Sequence, residues 1–221
     1  PPSPDLWWGI DLPATVPSVS TGAIPDAHSV ADLINDNGAL LRRCHFMASD
    51  VLGAPADTAA TFLVVWTMGA VANAIGATWA LADAGLVFDS TSLRFEPGDD
   101  VPIGNVHLGN PAIVVSPDHP WAGHPGAIVV ADRDERRNLV VGALVAAAEP
   151  TIEAIHRCAR VGRAGLWNQV GDGLVDWLAY RTSPPVNASI TDAAHELATT
   201  PTRRWKATAT AWTIDSSAGR A

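Results

Sequence analysis

The residues with the most chemistry in them lie in RVGRAGLWNQVGDGLVDWLAY, where Asp172 and Asp176 accompany Trp167 and Trp177. A carboxylate held beside tryptophans in an apolar pocket is desolvated, so its pKa rises and it can act as general acid or base near neutral pH. Helical spacing puts Asn168 beside Asp172 (i, i+4) and Gln169 beside Asp172 (i, i+3). Trp167 and Trp177 fall close to one face after about three turns. The competing reading makes Asp172 and Asp176 the solvent face opposite the apolar stripe. A second ionisable candidate is His107, in a β-type run beside Asn105, where the alternative is a hydrogen-bonded core or edge histidine. Asn73 interrupts an otherwise apolar segment, and a buried amide must be bonded or face a cavity. The chain thus offers Asp172 and His107 as catalytic candidates, with Trp66, Asn73, Trp79, Trp167, Asn168, Gln169 and Trp177 as candidates to hold a ligand. Nine tryptophans against four phenylalanines and one tyrosine suit a core, and also a pocket for flat or cationic guests.

Other chemistries find less support. There is no Gly-x-Ser-x-Gly elbow and no Gly-rich phosphate loop. Cys44 and Cys158 lack metal-motif spacing and sit in apolar helical patterns, so both read as buried free thiols. PDHPWAGHPG carries His119 and His124 with Asp118, a set able to hold a divalent ion; a Pro/Gly turn with exposed histidines is the preferred reading, and no metal site is assigned. The pairs Arg42/Arg43, Arg136/Arg137 and Arg203/Arg204 are isolated and read as solvated surface charge.

Positioning such groups requires a frame. Thr58 to Ala82 contains no charged residue, enough to span a bilayer by length. Eight Ala and two Gly, Asn73 at mid-segment and flanking Asp57 and Asp83 instead of basic clusters argue against that. The segment reads as a buried central helix, opened by Pro55 and Asp57 and closed by Gly85. Before it, Asp26 can cap a helix running to about Met47, weakened at Asn37-Gly38. After it come five short β-type runs at 86–88, 92–95, 106–108, 112–116 and 127–131, the last two forming a plausible antiparallel pair. Helical periodicity returns at about 135–148, meets Pro150, and resumes at 151–160, 165–180 and 192–199. Strands gathered between helices indicate α+β: a mostly helical single domain (26–221) with a small central antiparallel sheet and a buried Ala-rich helix. Residues 1–25, rich in Pro and anchored by Trp7 and Trp8, read as an extended arm on that body, either covering a pocket or pairing with a second copy in a homodimer.

The Leu166-Trp167 helix is similar to the late helix of the FhuF-like ferric siderophore reductase family, where a Leu-Trp-Gly-Asn run precedes a small-residue apolar helix. Asn168 and Gln169 stand where that family has Gly and Asn. The order of elements over about 40–212 resembles the family as well. The resemblance implies four thiolates for a [2Fe-2S] cluster, an arginine-led Cys-Cys and a later Cys-x-x-Cys, in the region of Thr202 to Ala221. Arg203 and Arg204 are present there, but no cysteine follows them. A cluster needs four thiolates, or two with two histidines, so no cofactor is expected from these residues.

A net charge of −9 argues against nucleic acid or an anionic membrane as partner. The N-terminus lacks the charged and apolar regions of a signal peptide, pointing to the cytoplasm. The expected function is a cofactor-independent enzyme of specialised metabolism, of cyclase or isomerase type, acting on a small organic ligand. The alternatives are a siderophore- or small-ligand-binding accessory protein, or a ferric-siderophore reductase whose ligands lie beyond Ala221.

Overall fold

The computed structural model describes residues 18–21, 27–51, 53–96, 98, 103–159, 161–180, 188–202 and 204–205. Most of the proposed arm (1–17, 22–26) and the tail after Trp205 lie outside the described residues, as do Asp26 and Arg203.

The uncharged segment is helical throughout. α2 (Ala56–Val64) passes through a π turn at Val65–Gly69 into α3 (Ala70–Ala82). Nearly every residue of α3 up to Trp79 is buried. By length and composition, helix 56–82 and helix 133–159 could each cross a membrane; 83% of the most apolar window of the first is enclosed by the protein itself, against 50% for the second. The first therefore meets protein on nearly all sides, as expected for a central helix. Its closure differs from the sequence reading. The chain turns at Asp83 in the left-handed conformation (φ 48°), tolerable for an Asp whose carboxylate is also held by Arg133 at 2.5 Å. Gly85 instead opens a strand, pressed against Val140.

α1 (Val30–Phe46) starts at Ser29 through a capping box in which the Ser29 hydroxyl receives the Asp32 N–H and the Asp32 carboxylate receives the Ser29 N–H. It runs unbroken past Asn37-Gly38 into a π turn at Met47–Val51.

Two sheets occupy the middle of the chain where one was expected, and they are mixed rather than antiparallel. The first has order β1-β5-β4-β2, from β1 (Ser18–Thr21), β2 (His28–Ser29), β4 (Leu93–Glu96) and β5 (Asn105–Leu108). β1, from the segment read as an arm, pairs parallel to β5 with Ser20 opposite His107. The second has order β3-β6-β7, from β3 (Gly85–Val87), β6 (Ala112–Val115) and β7 (Ala127–Val129). β6 and β7 run parallel, Val114 opposite Ile128. The intervening loop is why: successive turn bonds from Ser116 to Ala127 coil the chain back to the starting end of β6, a crossover where a tight hairpin would have been needed for the antiparallel pair.

α4 (Arg133–Ala159) continues without interruption through Pro150. The hydrogen bond Pro150 cannot make would have gone to Ala146, which lies on the exposed side of the helix, where water can accept the duty. α5 (Arg163–Asp176) ends in a 3-10 turn at Trp177–Tyr180, and α6 (Ala188–Ala198) follows. The main core joins α1 to α5 with the inner face of the first sheet (Leu93, Phe95, Val106, Leu108). A smaller cluster ties α3 to α6 through Ala77, Trp177 and Ala194.

Candidate functional site

α3 and α5 meet along glycines. A Cβ on Gly173 would come within 2.9 Å of the Gly69 carbonyl oxygen and 3.0 Å of the Ala72 methyl. A Cβ on Gly76 would overlap the Leu174 carbonyl and stand 2.8 Å from Trp177 Nε1. Gly69 thus sits with Gly173, and Gly76 with Leu174 and Trp177, so the two helices run in the same direction where they cross. Small residues make this approach possible, and the Trp177 indole closes it, its Nε1–H donating to the Leu174 carbonyl at 2.9 Å.

Asn73 lies on α3 one turn before Gly76. It is only 8% exposed, and its Oδ1 is enclosed without a hydrogen-bond partner among the described residues. A buried carbonyl left unbonded costs about 1–3 kcal/mol, so Asn73 is a destabilising residue at this position.

The carboxylates of α5 stand on the far side of that helix from the indoles. At about 100° per residue, Asp172 is turned roughly 140° from both Trp167 and Trp177. It is half-buried, Asp176 opens to solvent, and Asn168 is exposed beside a half-buried Gln169. This geometry follows the solvent-face alternative for the direction of these groups and separates Asp172 from the tryptophans meant to surround it. The two carboxyls are nevertheless not ordinary. Burial raises Asp172 above the usual carboxylate range. Asp176, although its surface is accessible, is crowded by protein and has Asp172 one turn away; desolvation and that like charge push it up to about 6. Among the described residues no cation and no hydrogen-bond donor is paired with either carboxylate.

The remaining tryptophans divide among other duties. Trp79 is buried on another side of α3, its Nε1–H donating to Glu196 at 3.1 Å with the Arg133 guanidinium 4.8 Å above its ring. Trp66 stacks on Phe62 at 5.3 Å. Trp167 packs against Trp205 at 6.2 Å, and Arg204 caps the pair while bonded to Glu149. The seven proposed ligand-holding residues are thus spread over several contacts: Trp177 closes the α3–α5 approach, Asn73 lies one turn before Gly76, Trp79 bonds to Glu196, Trp66 stacks on Phe62 and Trp167 packs on Trp205.

His107 belongs to a separate site, on the face of the first sheet opposite its core. It is 3% exposed, and its Nε2 lies 3.3 Å from Glu96 Oε2, which also accepts from Asn105 Nδ2 at 2.9 Å. The Asn105 and His107 hydrogen bonds hold the Glu96 carboxyl below its usual range. Glu96 carries no signal in the sequence and becomes His107's neighbour only through the β4–β5 register, Arg94 opposite His107 and Glu96 opposite Asn105.

The histidine loop is closed by its own bonds. His119 Nε2 is 2.8 Å from the Ala82 carbonyl and its Nδ1 accepts from the Trp121 N–H at 3.1 Å, leaving neither nitrogen for a metal. Among the described residues no three acidic, His or Cys side chains gather as a metal set. A [2Fe-2S] cluster does not fit this chain's thiols either. Cys44 is buried, its thiol pushed up to about 11 by desolvation, and Cys158, expected to be buried, is exposed on α4.

One arginine pair departs from surface charge. Arg136 is 4% exposed, donating to the Val130 and Ala131 carbonyls where β7 leads into α4. Beside it, Arg133 bridges Asp83 and Glu196. Nothing in the sequence marked Glu196 or Trp205 for these roles, since both act on partners far along the chain. No protein-family model matches the chain, and no curated protein matches it.

Proposed function

We propose that this chain is a small-molecule enzyme of acid–base type, a cyclase or isomerase without a redox cofactor, built on an FhuF-like scaffold whose cluster ligands are missing from these residues. The observation carrying the reading is the Asp172–Asp176 pair: two carboxyls one helical turn apart on α5, one half-buried and one at the surface, with no cation paired with them among the described residues. Such a pair shares its protons unequally, because the second charge is harder to form beside the first. Asp172 as carboxylate takes a proton from the substrate, and Asp176 as the acid returns one at another atom. Substrate atoms and charge balance, and an isomerisation results once the enzyme exchanges the proton between its two carboxyls. A general acid is most effective with its pKa near the working pH, where Asp176 is placed.

The test is a carboxyl-carbon NMR titration of the full chain, with Asp176→Asn and Asp172→Asn for assignment. The Asp176 resonance is expected to move with a midpoint near 6 and to drop toward the ordinary range in Asp172→Asn. A midpoint near 4 in the unmodified protein defeats the acid–base reading.

A ligand-binding or accessory protein is the second reading, favoured by Asn73, whose enclosed oxygen can orient a guest without any proton transfer. The two readings part in the Asp variants: a pure binder retains its ligand in both.

A further inference from the structure

α4 leaves much of its apolar length uncovered: 50% of its most apolar window is enclosed by protein, against 83% for helix 56–82. The uncovered side follows one line. At about 100° per residue, Glu135, Leu139, Gly142, Pro150, Glu153 and Arg157 all fall within about 40° of the direction of Ala146. Glu135, Leu139, Gly142, Ala146 and Arg157 are exposed, Leu139 by 40%, and a Cβ on Gly142 would meet open space. No residue from Asn138 to Ala148 carries a charge.

The charges that bound this face are arranged about Ala146. Glu135 lies eleven residues before it and Arg157 eleven after, each about three turns away and rotated by only about 20°. Glu149 and Glu153 are neutralised by Arg204 and Arg163. Glu135 and Arg157 make no ion pair among the described residues. The face thus carries one unspent negative charge and one unspent positive charge at equal distances from its centre.

We infer that this face of α4 is an interface between two copies of the chain, packed antiparallel with Ala146 on the twofold axis. Glu135 of each copy then meets Arg157 of the partner subunit, and the apolar run between them is covered by its own image. A twofold contact uses one patch twice, so a face with opposite charges mirrored about its centre is complementary to itself. Charge also selects the register: an axis between Gly142 and Ala146 would set Glu135 against Glu153 of the partner subunit. The open space at Gly142 faces Pro150 across the axis and leaves room for a water on the Ala146 carbonyl. Lipid is the competing cover, but the uncharged run measures only about 16 Å at about 1.5 Å per residue, against roughly 30 Å of hydrocarbon. The inference concerns α4 and is independent of the carboxylates of α5.

The experiment is sedimentation equilibrium of the full chain across micromolar concentrations, where a dimer is expected. Glu135→Arg should weaken it about tenfold, since two attractive pairs become repulsive. Arg157→Glu should do the same, and the double exchange should restore the dimer. In a Cys158→Ser background, Ala146→Cys should form a disulfide between copies under oxidised glutathione, because the two sulfurs meet on the axis. Cys158 of the unmodified chain should not, since the two copies of it stand about 36 Å apart along the helices. A monomer at every concentration, a dimer indifferent to both charge reversals, or crosslinking through Cys158 but not in Ala146→Cys would overturn the inference. Flotation of a monomeric chain with phosphatidylcholine vesicles would give the face to lipid and defeat it equally.

Discussion

Gly76 has no room for a single methyl group, because the Leu174 carbonyl oxygen of α5 occupies the place where its Cβ would stand. The neighbour is backbone and the Trp177 indole behind it is fully buried, so neither can withdraw cheaply.

Gly76→Ala should therefore cost about 3 kcal/mol or more, or prevent folding, since the two central helices would have to separate. Gly142→Ala, with open space at its Cβ on α4, should be neutral or slightly stabilising. Urea unfolding followed by tryptophan fluorescence measures both, and equal behaviour of the two variants would contradict the packing described.

Asp176 and Glu196 should give pH dependences of opposite sign. The Asp176 carboxyl binds its proton more tightly in the folded chain (about 6) than its ordinary 3.8. The folded state thus holds more protons between these values, and stability falls as pH rises through them. Asp176→Asn removes the penalty: it should stabilise the protein fully above about pH 6 and not at all below about 3.8.

Burial tends to raise Glu196, but hydrogen bonds from Arg133 and Trp79 outweigh it and hold the carboxyl below its ordinary 4.5. Its contribution is complete above that value and disappears as pH drops through the lower folded one. Glu196→Gln should cost about 1 kcal/mol at pH 7, a small figure because Arg133 is well exposed, and nothing in strong acid. Thermal unfolding across pH 3 to 8 reads both variants.

Trp205 lies over Gly171, where a Cβ would meet its ring at 3.2 Å, yet its buried Nε1 has no partner among the described residues. Its value is therefore area, not hydrogen bonding. Trp205→Ala should cost about 3 kcal/mol and Trp205→Phe much less, as measured by urea unfolding. A Phe variant as weak as the Ala variant would mean the N–H is bonded.

The two thiols should react in sequence. Cys158 is exposed, whereas Cys44 is 2% exposed with its thiol pushed up to about 11. Iodoacetamide at pH 8 should label Cys158 on the native protein and Cys44 only after denaturation, as peptide mass spectrometry will report.

Much of this molecule follows from patterns within single segments. The absence of charge from Thr58 to Ala82 marked a helix that water does not reach, and the Leu166–Trp167–Val170–Leu174–Trp177 stripe marked the buried side of α5, because periodicity records which face avoids solvent. Five β-type runs were visible for the same reason. What those segments do to one another was decided by the tertiary structure. The direction of β7 depends on how the Ser116–Gly126 loop coils, and the neighbour of His107 depends on strand register. Pro150 passes through a helix because its missing bond falls on the wet side. Asn73 is left with an unbonded oxygen only once folding encloses it, and Asp172 parts from the tryptophans of its own helix because rotation about the axis outweighs nearness in sequence. Local composition carries burial, since burial is a property of one face; partners come from residues far apart in the chain, and contact between them exists only after folding.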